Sequence, residues 1–151
     1  MRRYALAIIS LIVYCLLAYS PAPAEESKQS IPNLVGTWVA TGKAQTPKSM
    51  HSATKEIRIT EQNGRLFRGT MSWTVSAKPE AGHYVGGKET ARAAEKFIGV
   101  IAHDNKTIYL AEQGDTGVDY CRLIGPDTLE DVYVESGAHP AVGHYVFRRK
   151  K

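Results

Sequence analysis

The chain has 151 residues, the length of one domain or of a targeting segment plus one domain. A hydrophobic content of 43% exceeds what a disordered chain carries, and two cysteines, Cys15 and Cys121, exclude both a disulfide scaffold and a cysteine-based zinc site. The formal charge of +4 falls to +2 without Arg2 and Arg3, when seventeen Lys and Arg face fifteen Asp and Glu; nothing in that balance calls for a nucleic-acid partner.

Met1-Arg2-Arg3 is a short basic start, residues 4–17 form an apolar run, and Ala22-Pro23-Ala24 puts small residues where a signal peptidase reads. That order is the n-region, h-region and cleavage site of a secretory signal peptide over residues 1–24. The run is shorter than the roughly 20 residues that span a bilayer, so no stable membrane anchor is expected after cleavage. Tyr14 is too large for the residue before a lipobox cysteine, and the surroundings of Arg2-Arg3 do not support a twin-arginine signal. Cleavage after Ala24 starts the mature chain at Glu25 and leaves Cys121 as its one cysteine, expected as a buried, inert thiol. The product would be periplasmic or secreted, with a polar N-terminal tail over 25–33 and one domain over 34–151.

From Leu34 onward, short β-rich segments alternate with turns, and no long segment has a helical period. Strands are expected at 34–41, 55–62, 65–75, 97–103, 107–112, 118–124, 129–135 and 141–148. Asn63-Gly64 is a hairpin turn, and Gly125-Pro126-Asp127 is another turn. The strand 65–75 is the cleanest: Phe67, Gly69, Met71, Trp73 and Val75 share one face, and Arg68, Thr70, Ser72 and Thr74 the other. Residues 76–94, with Pro79, Gly82, Gly86 and Gly87, read as a long loop with a short helical turn at 89–95. Short connections favour antiparallel neighbours, and eight strands in meander order close into an all-β up-and-down barrel without exposed edges. A two-sheet sandwich and an open sheet are the alternatives. Phe67-Arg68-Gly69 and Phe97-Ile98-Gly99 repeat F-x-G in mid-strand, where Gly marks a bend or bulge.

Asn33-Leu34-Val35-Gly36-Thr37-Trp38, on the first strand after a short tail, resembles the G-x-W motif of the calycin superfamily, above all the lipocalins, with avidin-like proteins sharing the same opening. The resemblance implies eight antiparallel strands around one interior cavity. It also implies barrel closure by Gly36 and Trp38 with an arginine after the last strand packed across the Trp, a role suited to Arg148 or Arg149. Trp73 is either core or the aromatic wall of a ligand cavity.

His51, His83, His103, His139 and His144 lack ligand spacing and read as surface residues, so neither a metal nor a cofactor is expected. Glu112, Asp115 and Asp119 cluster around a turn and read as solvated, as do Glu130 and Asp131 on the next hairpin. No G-x-S-x-G, phosphate loop or supported Cys–His pair is present, so no catalytic constellation points to an enzyme. The terminal Arg148-Arg149-Lys150-Lys151 reads as a solvated tail. The inward faces offer Ile57, Ile59, Phe67, Met71, Trp73, Phe97 and Ile101, and of these Phe67, Met71, Trp73, Phe97 and Ile101 are the expected cavity residues. The function expected is an exported barrel holding a small apolar or amphipathic ligand. The alternative is a protein-binding or protease-inhibitor-like barrel acting through its N-terminal tail and loops.

Overall fold

The computed structural model describes residues 30–75, 84, 85, 88, 89, 92–114 and 116–151. The signal-peptide reading and most of the tail fall outside them. Ten strands run in order: β1 (Gly36–Gln45), β2 (Met50–Asn63), β3 (Leu66–Val75), β4 (Tyr84–Val85), β5 (Lys88–Glu89), β6 (Arg92–Ile101), β7 (Thr107–Glu112), β8 (Val118–Gly125), β9 (Thr128–Glu135) and β10 (Ala141–Arg149). Eight of them close into one barrel in the order β1-β10-β9-β8-β7-β6-β3-β2, and β4 and β5 pair with each other alone. Every pairing is antiparallel, and no helix occurs among the described residues. The meander barrel is therefore the fold, and the sandwich and open sheet are excluded. The expected loop 76–94 is shorter than the sequence suggests: β6 begins at Arg92, and residues 92–94 pair with β3.

Alternation builds this barrel. In β2, His51, Ala53, Lys55, Ile57 and Ile59 are buried, while Thr54 and Arg58 between them are exposed. The β2–β3 hairpin turns through Gly64 and Arg65, with Asn63 opposite Leu66 and Gly64 at φ 57°, a conformation that favours glycine. Bulges at Thr60 in β2 and Ile124 in β8 break the ladders once each.

The two F-x-G segments are one structural unit. Phe67 of β3 lies opposite Gly99 of β6, and Gly69 lies opposite Phe97. A Cβ at Gly99 would overlap the Phe67 ring, and one at Gly69 would meet the Phe97 ring and the Arg58 carbonyl. Each phenylalanine thus covers the glycine of the other strand, and the rings meet edge-on with centroids 6.2 Å apart. The glycines make room for aromatic packing as well as easing strand curvature.

One end of the interior is apolar. Trp38, Phe97, Phe147, Ile57, Ile101 and Ile108 are at most 1% exposed, each burial contributing about 1.5–3 kcal/mol. The segment before β1 straps across this end. Gln62 accepts from the Leu34 amide (2.8 Å) and donates to the Pro32 carbonyl (2.9 Å), while the Trp38 indole donates to the Leu34 carbonyl (3.0 Å). Arg149 lies 4.1 Å from the Trp38 ring centroid and donates to the carbonyls of Val35 (2.7 Å) and Asn33 (2.8 Å) and to Asp127 (3.0 Å). Gly36, at φ 139°, carries the chain under the Arg149 guanidinium. Arg148 does not take this part: it sits on the outward phase of β10, exposed, and bonds Thr128. Alternation decides between the two arginines, since Arg149 shares the inward phase of Tyr145 and Phe147.

Candidate functional site

The opposite half of the interior carries the polar groups, set among the buried Ala44, Ala53, Val75 and Ala141. Lys55, on the inward phase of β2, is 3% exposed and reaches across the barrel to β8 and β9. Its ammonium bonds Asp119 Oδ1 and lies 3.8 Å from Asp131 Oδ2, and both aspartates are fully buried. It also stands over two tyrosine rings, 4.5 Å from the centroid of Tyr133 and 5.3 Å from that of Tyr145. Cys121 is a buried free thiol, 3.4 Å from Asp131 Oδ1. The ring of Tyr145 fills the space left by Gly42 and Gly143, where any Cβ would overlap it.

Phase brings these groups together. Asp119 and Cys121 occupy alternate positions of β8, Leu129, Asp131 and Tyr133 those of β9, and Ala141, Gly143, Tyr145 and Phe147 those of β10. In the ladders Asp131 stands opposite both Cys121 and Tyr145, and Asp119 opposite both Leu110 and Tyr133. Glu112, Glu95 and Glu135 continue the inward phases of β7, β6 and β9 and are half-buried. Tyr133 donates its hydroxyl to Glu135 (3.1 Å).

The expectation that Asp119 and Asp131 are solvated is overturned: both are 0% exposed, because both stand on inward phases. Glu112 is half-buried, Glu130 faces outward and pairs with His144 at 3.2 Å, and Asp115 lies outside the described residues. Of the histidines, His51 is buried against Ser49, contrary to the surface reading; His103, His139 and His144 are exposed, and His83 lies outside the described residues.

Burial and charge shift these groups in separable ways. Burial alone would push the Lys55 ammonium down, but Asp119, Asp131 and Glu112 outweigh it and hold its pKa above the ordinary lysine range. Burial lifts Asp131 to about 7; Lys55 opposes the rise, and the neighbouring Asp119 adds to it. Burial raises Tyr145 to about 12 and holds the Cys121 thiol well above its usual value, so Cys121 is no nucleophile at neutral pH. Burial lowers His51. At pH 7 the centre therefore holds a lysine cation beside an Asp131 carboxyl balanced between its acid and its base.

Sequence reasoning placed Phe67, Met71, Trp73, Phe97 and Ile101 at a cavity. Phe67, Phe97 and Ile101 belong to the core at the apolar end, all at most 5% exposed. Met71 is buried in mid-barrel, while Trp73 is half-buried beside Lys55, its ladder partner, toward the polar half. The buried charges were missed. Their signal was the phase of Cys121, Leu129 and Ile57, each two residues from a charge on the same face.

No known protein family matches the sequence, and no curated protein does. Solved structures do match. A de novo designed fluorescence-activating β-barrel is 9% identical with a TM-score of 0.50, over 77% of this chain and 93% of that one. An S-type phycobiliprotein lyase from Guillardia theta is 13% identical with a TM-score of 0.45, over 78% and 89%. At 9% identity the likeness to the designed protein concerns the fold alone: this chain is similar in fold to a small β-barrel.

Proposed function

We propose that the protein is an exported, calycin-like binding barrel that takes a small amphipathic ligand into the polar half of its interior. One observation carries the reading: a barrel packed with apolar side chains at its Trp38 end keeps Lys55, Asp119 and Asp131 buried at its centre, with Trp73, Tyr133 and Tyr145 around them. Buried ion triads of this kind are often replaceable by apolar residues without loss of stability, so structure alone gives little reason to keep them. Eight strands are the size at which a barrel encloses one small ligand or nothing but side chains. A designed barrel of like fold is described as fluorescence-activating, which accords with the ligand-holding option. The reading as a tail-driven inhibitor gains less, because Gln62 and Arg149 tie residues 32–35 to the barrel.

Native mass spectrometry of the protein purified from its own host tests the function. A co-purifying mass lost on denaturation supports it. A bare polypeptide, together with a folded protein that binds no small organic probe, refutes it. N-terminal sequencing of the same sample tests export: Glu25 is the expected first residue, and intact Met1 would overturn that part.

A further inference from the structure

The outer wall of the barrel is apolar along one side. In the ladders Leu66, Val100, Tyr109, Tyr120 and Val132 stand opposite one another in succession from β3 to β9. A second row, Ile98, Ala111, Val118, Val134 and Val142, runs beside it from β6 to β10. All ten occupy outward phases, and no Lys, Arg, Asp or Glu interrupts either row. Outward positions elsewhere are polar, with Thr41 and Lys43 on β1, Thr54 and Arg58 on β2 and Thr70 on β3. The face is therefore one-sided, unlike the closed apolar band of a barrel that spans a bilayer. Apart from Ala111 and the half-buried Val118, its side chains are between 38% and 64% exposed. Together they present about 700 Å², more than the roughly 300–600 Å² of the largest apolar patch on an ordinary monomer.

The same face holds a recess and a ridge. A groove of about 550 Å³ lies over β3, β6 and β7, lined by Leu66, Ile98, Gly99, Val100 and Tyr109. Beside it the Tyr109 and Tyr120 rings meet edge-on with centroids 5.8 Å apart, and Tyr120 is 50% exposed. A twofold interface needs both shapes on one surface, because each copy must supply the knob for the other's hole. Tyrosine suits the knob: it is enriched where protein interfaces are most deeply buried. The rows end on paired groups, Arg68 with Glu61 beside Ile98 and His144 with Glu130 beside Val132, so no lone charge has to be buried at either end. An anionic membrane would call instead for lysines and arginines within the face. Strand addition between copies is unavailable, since the sheet is closed. We propose that two copies of this chain pair through this face as an isologous dimer, Tyr120 of each seated in the groove of the other. The area on offer, about 700 Å², lies within the roughly 600–1,000 Å² that each partner gives to a stable interface. The face belongs to the outer wall, so the dimer is independent of what the interior holds.

The test is sedimentation velocity of the mature chain over a concentration series from about 1 μM to about 1 mM. The expected result is a monomer–dimer equilibrium with a Kd at or below about 10 μM, within the range of interfaces of this size. Tyr120→Glu should weaken the dimer at least about 100-fold, because a twofold interface carries each substitution twice. Thr54→Glu, on the polar wall, should leave it unchanged. Near-UV circular dichroism shows whether each variant is folded. If Tyr120→Glu is not, Leu66→Glu, at a position 64% exposed, carries the same expectation. A wild-type chain that stays monomeric across the series overturns the proposal. So does a dimer that folded Tyr120→Glu and Leu66→Glu leave intact, since it would use another face. Binding of a monomeric wild-type chain to phosphatidylcholine–phosphatidylglycerol vesicles, lost in Tyr120→Glu, would overturn the dimer in favour of a membrane-docking face.

Discussion

Lys55→Met is the most informative single change. It keeps side-chain volume close to that of lysine and removes the one cation that Asp119 and Asp131 share. Lys55 is 3% exposed and both aspartates are 0% exposed, so water cannot replace the lost partner without opening the barrel. Breaking a buried pair from one side costs about 3–5 kcal/mol, because a charge is left uncompensated in a poorly polarisable interior. That is a large share of the roughly 5–15 kcal/mol a domain of this size has. With a urea slope near 2 kcal/mol/M, the midpoint at pH 8 should fall by about 2 M. The loss should shrink at pH 5, since the orphaned Asp131 carboxyl, already raised to about 7 by burial, then takes up a proton. The triple change Lys55→Met, Asp119→Val, Asp131→Val removes every charge and puts β-branched residues on two strands. It should return stability to within about 1 kcal/mol of wild type or exceed it, as apolar replacements of buried ion groups have done elsewhere. The same triple variant should bind no ligand. Urea melts followed by tryptophan fluorescence at both pH values decide the matter. A Lys55→Met protein as stable as wild type at pH 8, or a triple variant as weak as the single one, would refute the claim that the centre is costly to hold and kept for function.

Trp38→Ala should cost about 3–5 kcal/mol, and a double-mutant cycle should show coupling to Arg149→Ala and none to Arg148→Ala; coupling to Arg148 instead would contradict the packing of Arg149 on the indole. Gly99→Ala should cost about 1–3 kcal/mol by displacing the Phe67 ring, and Phe67→Leu in the same chain should recover part of it; additive losses would deny that the two residues interlock. Cys121 should react with a thiol dye slowly in the native state and fast after unfolding, as a 3% exposed thiol with a raised pKa must; rapid native labelling would place it at the surface. Asp131 has a folded-state pKa near 7 against about 4 unfolded, so the folded state holds an extra proton between those values and its contribution to stability is lost as pH rises from about 4 to 7. Asp131→Asn, which mimics the protonated acid, should flatten that part of the stability–pH curve, and an unchanged slope would show that another group carries the proton.

The barrel was legible because alternation is strongest where the inward residues are apolar. Ile57 with Ile59, and Phe67 through Val75, define an inward face without reference to any neighbour. The strand ends were less legible. β1 runs on to Gln45 and β2 starts at Met50, through Lys43, Thr54 and other residues with no apolar signature, because partner strands supply the hydrogen bonds that composition does not predict. The choice between Arg148 and Arg149 was open in sequence and is closed by phase alone, since Phe147 fixes which neighbours point inward.

The charged centre escaped sequence reading for a different reason. A carboxylate beside a turn is solvated in most chains, and Asp119 and Asp131, each taken alone, fit that rule. What defeats the rule is a relation between three strands. Lys55 on β2 stands across the barrel from β8, four strands away by either route around the closed sheet, and from β9, three strands away by the shorter route. No short-range pattern encodes that distance. Each partner nevertheless obeys the local phase: Lys55 falls between Ala53 and Ile57, Asp119 stands two before Cys121, and Asp131 two after Leu129. Once the strands are taken as a closed barrel, three ionisable residues of opposite sign on inward phases must meet or remain unpaired, and burial without pairing is too costly to persist. Closure of the sheet thus converts three separate irregularities of pattern into one site.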